Sequence, residues 1–414
     1  MAELYGIQTV IKASEAQTPV VVGTEVVFIG ISNAGVTISD NLYVPVRCSS
    51  YKEYEEAYDV PEDDHSGLTL AAQHAFNVAG LDHAWFINLQ RGGLEENDID
   101  ATEVNHGIAA LDDIYKDHGV IPSMVVTPNS CLWSGHDDGV KAISAKCRNL
   151  SDHFKCQVVY DNVLVSSDLI EVKRGTVSLG YKVNAAHVTK DDDSGNAIAC
   201  IGANDKEVPM SVIVACARAL QDKQNVGELP YRTVGNLAIP ATSKIMLQNS
   251  TTDESVAMAP ISKADSDALA ATGYICPINK GAGKWHIWGD HTAAVSGDGA
   301  VDDELYRFDS NVAMTYHIAN RFILKWGSAI DNPMTLALRN DIINEEQTYL
   351  NYLVSAGALI GSPRCEFRAI DNTSDKLQKG YFTFTDVHTV TIPAKYIQLN
   401  LVYTSEGINS YTVE

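Results

Sequence analysis

Apolar and polar positions change their period several times along the chain. From Leu4 to Ala13 the alternation is weak, with Ile7, Thr9 and Ile11 on one side and Gln8, Val10 and Lys12 on the other, which suits an extended arm. The polar segment Ser14 to Thr18 separates it from a β-branched run, Val20 to Ile31, that reads as strands among Gly23, Gly30 and Gly35. From Ser66 helices and strands alternate. Leu68, Ala72, Ala75 and Ala79 recur at helical spacing before the apolar strand Ala84 to Leu89. Thr102 is a candidate N-cap for a helix bearing Val104, Ile108, Leu111 and Tyr115, which leads to the strand Ile121 to Thr127. A third cycle runs from a helix at Asp137 to Leu150 into the strand Gln157 to Tyr160. Three such cycles with short connections predict an α/β layer on a largely parallel sheet. The polar stretch Lys173 to Lys206, with Asp191, Asp192 and Asp193 in a row, reads as a hairpin or surface loop, and a helix is expected from Val208 to Leu220.

Beyond Ser262 the order becomes α+β: short strands at Tyr274 to Ile278 and Lys284 to Trp288, two long helices, then three strands. Val312, Tyr316, Ala319, Ile323 and Trp326 form one apolar stripe on the first helix, behind an Asp309-Ser310 cap. The second helix is expected to begin at Asn332-Pro333 and to end at Gly361. Strands are expected at Cys365 to Ile370, Tyr381 to Ile392 and Tyr396 to Tyr403. The predicted organisation is an arm at 1–19, an α/β domain at 20–261 with an insertion near 173–206, an α+β domain at 262–395, and a terminal strand or arm at 396–414. In that last segment Ile397, Leu399, Leu401 and Tyr403 alternate with Gln398 and Asn400. A strand with one apolar face pairs either with its own sheet or with a neighbour's exposed edge, and the pattern leaves both open.

The chain has 414 residues, 45% of them hydrophobic, and a formal net charge of −23. A deficit of cations on this scale argues against nucleic-acid phosphate as the main partner. From Ile278 onward there are 11 Lys+Arg and 16 Asp+Glu, a net of −5, so −18 of the −23 falls before it. The start has no signal-like basic and apolar regions and no stretch is long and apolar enough for a span, so a soluble chain without membrane contact is expected. The eight cysteines are widely spaced with no C-x-x-C pair, as for reduced thiols. Gly281-Ala282-Gly283-Lys284 lacks the first glycine and the Ser/Thr of a phosphate loop, and Gly202 stands where a calcium loop at Asp191 would need its glutamate. His286 and His291 are five apart, without H-E-x-x-H, and no serine lies in G-x-S-x-G. A Cys–His couple forms only in space, so the sequence leaves it open. No catalytic, metal or cofactor-binding residue is assigned.

Several segments, in order, resemble tail sheath proteins of contractile phage tails and R-type bacteriocins, the outer layer of contractile injection machines. They are Leu42 to Val46 with Tyr51 to Tyr58 after it, the strand Ile121 to Thr127, Val208-Pro209-Met210-Ser211 leading into Ala215 to Arg218, Trp288-Gly289-Asp290-His291-Thr292, Asn320-Arg321, Gly357 to Gly361, and Gly380 followed by Ile392-Pro393-Ala394-Lys395-Tyr396-Ile397. The chain departs from the family at His291, where arginine is common, and at Asn320, the first of an arginine pair. The resemblance implies a non-enzymatic subunit without cofactor, with an outer α/β domain, a C-terminal α+β domain facing an inner tube, and arms carrying Ile7, Thr9, Ile11, Ile397, Leu399, Leu401 and Tyr403 into neighbouring subunits. It further implies tube contact through basic residues of the first long helix, here Arg321 and Lys325. The implied partners are the chain itself in a helical polymer, the tube protein, and baseplate and terminator or collar proteins. Assembly would take place in the bacterial cytoplasm, with the finished particle extracellular after release. Two other readings stay open on the residues alone: another self-assembling shell or surface-layer protein, and an α/β enzyme with an unrecognised site.

Overall fold

The computed structural model describes residues 23–32, 41–61, 64–89, 93–161, 182–185, 196–201, 207–239, 245–249, 255–257, 264, 267, 270, 273–281, 284–292 and 304–411. The proposed N-terminal arm, with Ile7, Thr9 and Ile11, lies outside the described residues.

Three βα cycles build the body. Strands β1 (Val26–Gly30), β3 (Ala84–Asn88), β4 (Met124–Thr127) and β5 (Gln157–Asp161) are buried along their whole length, as expected for parallel strands covered on both faces. With β2 (Pro45–Cys48), β6 (Lys182–Ala185), β11 (Tyr274–Asn279) and β12 (Trp285–Trp288) they form an eight-stranded sheet in the order β12-β11-β6-β5-β4-β1-β3-β2. The six inner strands run parallel, and β2 and β12 close the edges antiparallel. Successive residues of β1 face opposite cores. Val26 and Phe28 pack with α1 (Tyr51–Tyr58), α2 (Gly67–Gln73) and α5 (Met210–Gln224), while Val27 and Ile29 pack with α3 (Ala101–His118) and α4 (His136–Cys147). A second sheet, all antiparallel, has the order β10-β9-β7-β8, from β7 (Asn196–Ile201), β8 (Glu207–Pro209), β9 (Ile245–Asn249) and β10 (Ser255–Ala257).

The α/β reading holds, with local corrections. The α3 cap is Asp100, whose carboxylate accepts from the backbone of Thr102 at 2.7 Å and Glu103 at 3.2 Å. The stretch 173–206 supplies a strand to each sheet, because β6 is only four residues long and carries no apolar run to announce it. The division at 261/262 cuts through the large sheet, since β11 pairs with β6 in parallel at Tyr274–Asn184 and Ile275–Ala185.

After the sheet come α6 (Asp309–Trp326), α7 (Leu336–Ser355), β13 (Arg364–Glu366), the short α8 (Ser374–Gln378) and β14 (Thr385–Val387), which pairs antiparallel with β13. Helix α6 begins at Asp309 itself with Phe308 as its cap residue. It buries more than one stripe: Met314 and Ile318 meet Leu350 and Leu353 of α7, while Ile323 and Leu324 pack against the α3–α4 core. Helix α7 starts three residues later than Asn332-Pro333 suggests, because the Thr335 hydroxyl caps it by accepting from Leu338 N–H at 3.1 Å. It ends at Ser355, ahead of Gly357, whose φ of +80° turns the chain back, and not at Gly361.

Gly289 joins β12 to α6. Its φ is +104°, and a Cβ there would collide with the carbonyl oxygen of Tyr274 and stand 3.3 Å from Ile275 Cα. Both the backbone angle and the neighbouring strand demand glycine. Gly289→Ala should therefore destabilise the fold by about 2–4 kcal/mol in urea denaturation; a loss under about 0.5 kcal/mol would contradict this geometry.

Candidate functional site

The feature that sets this chain apart from a self-contained domain is its C-terminal segment. It leaves the body at a short ladder: Leu359 bridges Val390, Ile360 N–H donates to Thr389 O at 2.9 Å, and Thr391 N–H donates to Ala358 O at 3.0 Å. Val390 is buried in the α6–α7 core, and Thr391 Oγ1 donates to Gly357 O at 2.6 Å. Beyond this point no helix or strand forms up to Thr404, and a six-residue 3₁₀ helix follows, Glu406–Tyr411. Tyr396, Ile397, Leu399, Leu401, Val402, Tyr403 and Tyr411 are each between 78% and 89% exposed. The expected strand Tyr396 to Tyr403 thus pairs with no strand of its own chain among the described residues. Both faces are apolar, since Val402 and Tyr396 stand opposite the sequence-predicted set. Contiguous exposed apolar surface of this kind marks an interaction site.

A buried polar seam holds α6, and with it the arm's root, to the α/β body. Arg218 of α5 donates from Nη1 to Asp309 Oδ2 at 2.6 Å, from Nε to both oxygens of Asp222 at 3.1 Å, and from Nη2 to Pro230 O at 2.9 Å. Thr24 Oγ1 adds a bond to Asp222 at 2.9 Å. Burial pushes both Asp222 and Asp309 up to about 6 against the pull of Arg218, because one guanidinium offsets only one of two buried carboxylate charges. Midway along α6, the Asn320 amide accepts from Lys155 N–H at 2.9 Å and donates to Lys155 O at 2.8 Å. This is the position where the family resemblance would place an arginine, and the short amide fits the backbone of Lys155, just ahead of β5, directly.

Arg321 and Lys325, expected on a tube-facing surface, point elsewhere. Arg321 Nη1 reaches both oxygens of the fully buried Glu346 at 3.0 and 2.9 Å, and its guanidinium lies 3.6 Å over the Tyr349 ring. Trp326 Nε1 completes Glu346 at 2.7 Å, and Lys325 pairs with Glu345. The apolar stripe beside them is what brings α7 over them, so both cations join the two helices and neither is an unpaired surface charge. At Trp288-Gly289-Asp290-His291-Thr292, His291 stacks on Phe308 at 5.2 Å and bonds Ala270 O at 2.9 Å, which docks the loop on the start of α6.

Ligands of open α/β sheets bind beyond the C-terminal strand ends, where helix N-termini attract anions. Here two of the chain's own carboxylates hold those positions. Asp161 accepts from Ser211 N–H at 3.0 Å and Ser211 Oγ at 2.8 Å at the start of α5, and from Asn129 N–H at 2.9 Å. Asp64 accepts from Ser66 N–H at 3.1 Å, Ser66 Oγ at 2.8 Å and Thr69 Oγ1 at 2.5 Å at the start of α2. Among the described residues no group of three or more His, Cys, Asp or Glu could hold a metal ion, and no helix is long and apolar enough to cross a membrane. Cys48, Cys147, Cys156, Cys216, Cys276 and Cys365 are free and buried, and burial pushes the Cys48 thiol up to about 12, away from the reactive thiolate.

No protein-family model matches the chain, and no curated protein matches it by sequence. Solved structures do match in fold. The helical sheath of the anti-feeding prophage in its contracted state superposes with a TM-score of 0.67 at 16% identity, covering 98% of this chain and 100% of that one. The sheath complex of PVC, an extracellular contractile injection system, gives 0.67 at 13% identity over 98% of this chain and 99% of that one. The sheath tail protein of Listeria innocua gives 0.54 at 9% identity over 92% and 96%. The chain has the fold of contractile-sheath subunits over nearly its whole length.

Two measurements check these buried charges. Arg321→Met should cost about 3–5 kcal/mol in chemical denaturation, since it strands the buried Glu346, whereas Lys325→Met should cost about 1 kcal/mol or less. Equal small losses would mean that Arg321 is not interior. Asp161, pushed up to about 6 by burial although Ser211 and Asn129 pull the other way, has a folded pKa above its unfolded value. Its contribution to stability is therefore largest below about pH 4 and falls as pH rises through 6. Stability of the wild type relative to Asp161→Asn should decline by roughly 2–3 kcal/mol from pH 4 to pH 7, and a flat difference would refute the shift.

Proposed function

We propose that this chain is a structural subunit of a contractile sheath, without catalytic activity or cofactor, that polymerises helically around an inner tube and shortens to drive the tube through a target envelope. The observation that carries the reading is the exposed apolar C-terminal segment on a body of sheath fold. Burying side chains such as Ile397, Leu399, Leu401 and Tyr403 yields about 1.5–3 kcal/mol each, a gain the chain leaves unrealised on its own. A neighbouring copy supplies the partner by strand addition. The acceptor is the two-stranded β13–β14 sheet, whose outer β14 edge has no strand beside it among the described residues. The N-terminal arm, with Ile7, Thr9 and Ile11, does the same toward another copy. Such contacts are head-to-tail and propagate as a helix.

In this reading the end subunits contact baseplate and terminator or collar proteins, and the inner surface contacts the tube. Assembly takes place in the bacterial cytoplasm and the particle acts outside the cell. The acid excess of the first 277 residues suits an outer layer kept dispersed by charge. Self-occupied helix N-termini at the sheet's ligand edge and buried thiols accord with a scaffold.

Electron microscopy of purified protein at high concentration, in buffer with chelator and without nucleotide, should show hollow striated cylinders. Planar sheets would favour a shell or surface-layer protein, and dispersed particles an enzyme. Deleting 396–414 should abolish the cylinders while leaving helical circular dichroism and the melting temperature near wild type; unfolding on truncation would return the segment to its own core.

A further inference from the structure

Between the last ladder bond at Thr391 and the exposed apolar run, the arm is tied to the body at one more place. Lys395 Nζ forms an ion pair with Asp290 Oδ1 and lies 5.6 Å over the ring of Phe308. The carboxylate is 1% exposed while the lysine side chain is 45% exposed. A buried carboxylate has to be met by a cation, and here that cation comes from the arm. The Asp290 carbonyl in turn accepts from Asp309 N–H at 2.9 Å. Lys395 therefore reaches the joint where β12 hands over to α6, close to the Arg218 seam. Pro393 restricts the backbone between the two ties. Past Lys395 the tyrosines and aliphatics are exposed, and side-chain bonds such as Gln398 Nε2 to Asn400 Oδ1 at 2.6 Å join arm residues to one another.

We propose that Lys395, through Asp290 and Phe308, is the positioning residue that sets the direction in which the C-terminal arm leaves the body, so that the arm is presented to a second copy already aimed. The proposal rests on the sheath-subunit reading for its use and deepens it. A segment held at two points four residues apart has a fixed exit vector, whereas one held only at Thr391 sweeps a cone. Narrowing that cone reduces the ordering still to be done at capture and raises the arm's effective concentration at the acceptor.

The test separates aiming from mere stability. Lys395→Met strands a buried carboxylate, so it lowers the melting temperature whatever the arm does. Adding Asp290→Asn removes the stranded charge and restores the melting temperature. If the pair aims the arm, the critical concentration for polymerisation of the double variant stays raised by about tenfold, the order expected from losing one pre-organising contact. A double variant that is as stable as wild type and polymerises at the wild-type concentration overturns the proposal. A monomer measurement keeps it independent of polymerisation: spin labels at Thr404→Cys and Asn351→Cys should give a narrow distance distribution with Lys395 and Asp290 present and a broad one in the double variant. Identical distributions refute aiming, whereas a wild type that never polymerises refutes the sheath reading alone.

Discussion

A guanidinium shut away from water has to find its acceptors inside the protein, and Arg218 finds them on three separate pieces of chain. Asp222 lies one turn along its own helix, Pro230 follows that helix, and Asp309 opens α6. The placement of α6 that satisfies Arg218 also lets Asn320 embrace the Lys155 backbone. The geometry of the C-terminal unit, and the point from which its arm departs, follow from that requirement. Burial of two carboxylates around one guanidinium is the residual cost of the arrangement, expressed as a proton held more tightly than an ordinary aspartate would hold it.

Apolar burial acts in two separate ways. Inside the body it is realised: alternate residues of β1 serve cores on opposite faces of one sheet, and α6 joins a third. In the arm it is deferred, because the residues that would supply it have no partner among the described residues. Such a segment on a folded body calls for a covering partner, since exposed apolar surface on this scale otherwise invites indiscriminate association.

What could be read from the sequence was what repeats locally. The βα cycles were legible because buried parallel strands are dense in Val, Ile and aromatic residues, and because α3 carries Val104, Ile108 and Leu111 at helical spacing. Strand β6 was not legible, since its four residues Lys182–Ala185 gain their place from neighbours β5 and β11. The domain boundary was misplaced for the same reason: β11 follows α+β-like sequence yet completes an α/β sheet. Apolarity of the arm showed in the pattern, but absence of an internal partner is a tertiary fact. The charged residues of α6 misled most. Arg321 and Lys325 look like surface cations on a helical projection, and only the course of α7 shows that Glu346 and Glu345 lie across from them. A basic residue flanked by Trp326 and faced, one helix away, by paired glutamates is the signal that would have warned of an interior pair.

Helix α6 is gripped at its first turn by Arg218, in its middle by Lys155, and near its end by Glu346. Eighteen residues at 1.5 Å rise make it a strut about 27 Å long. Tension applied to the arm would reach the body at two places: the first turn of this strut through the Lys395–Asp290 tie, and the chain just past α7 through the Val390 ladder. A pull from outside would then be delivered to the large sheet as a torque on a stiff member, with little lost to bending on the way.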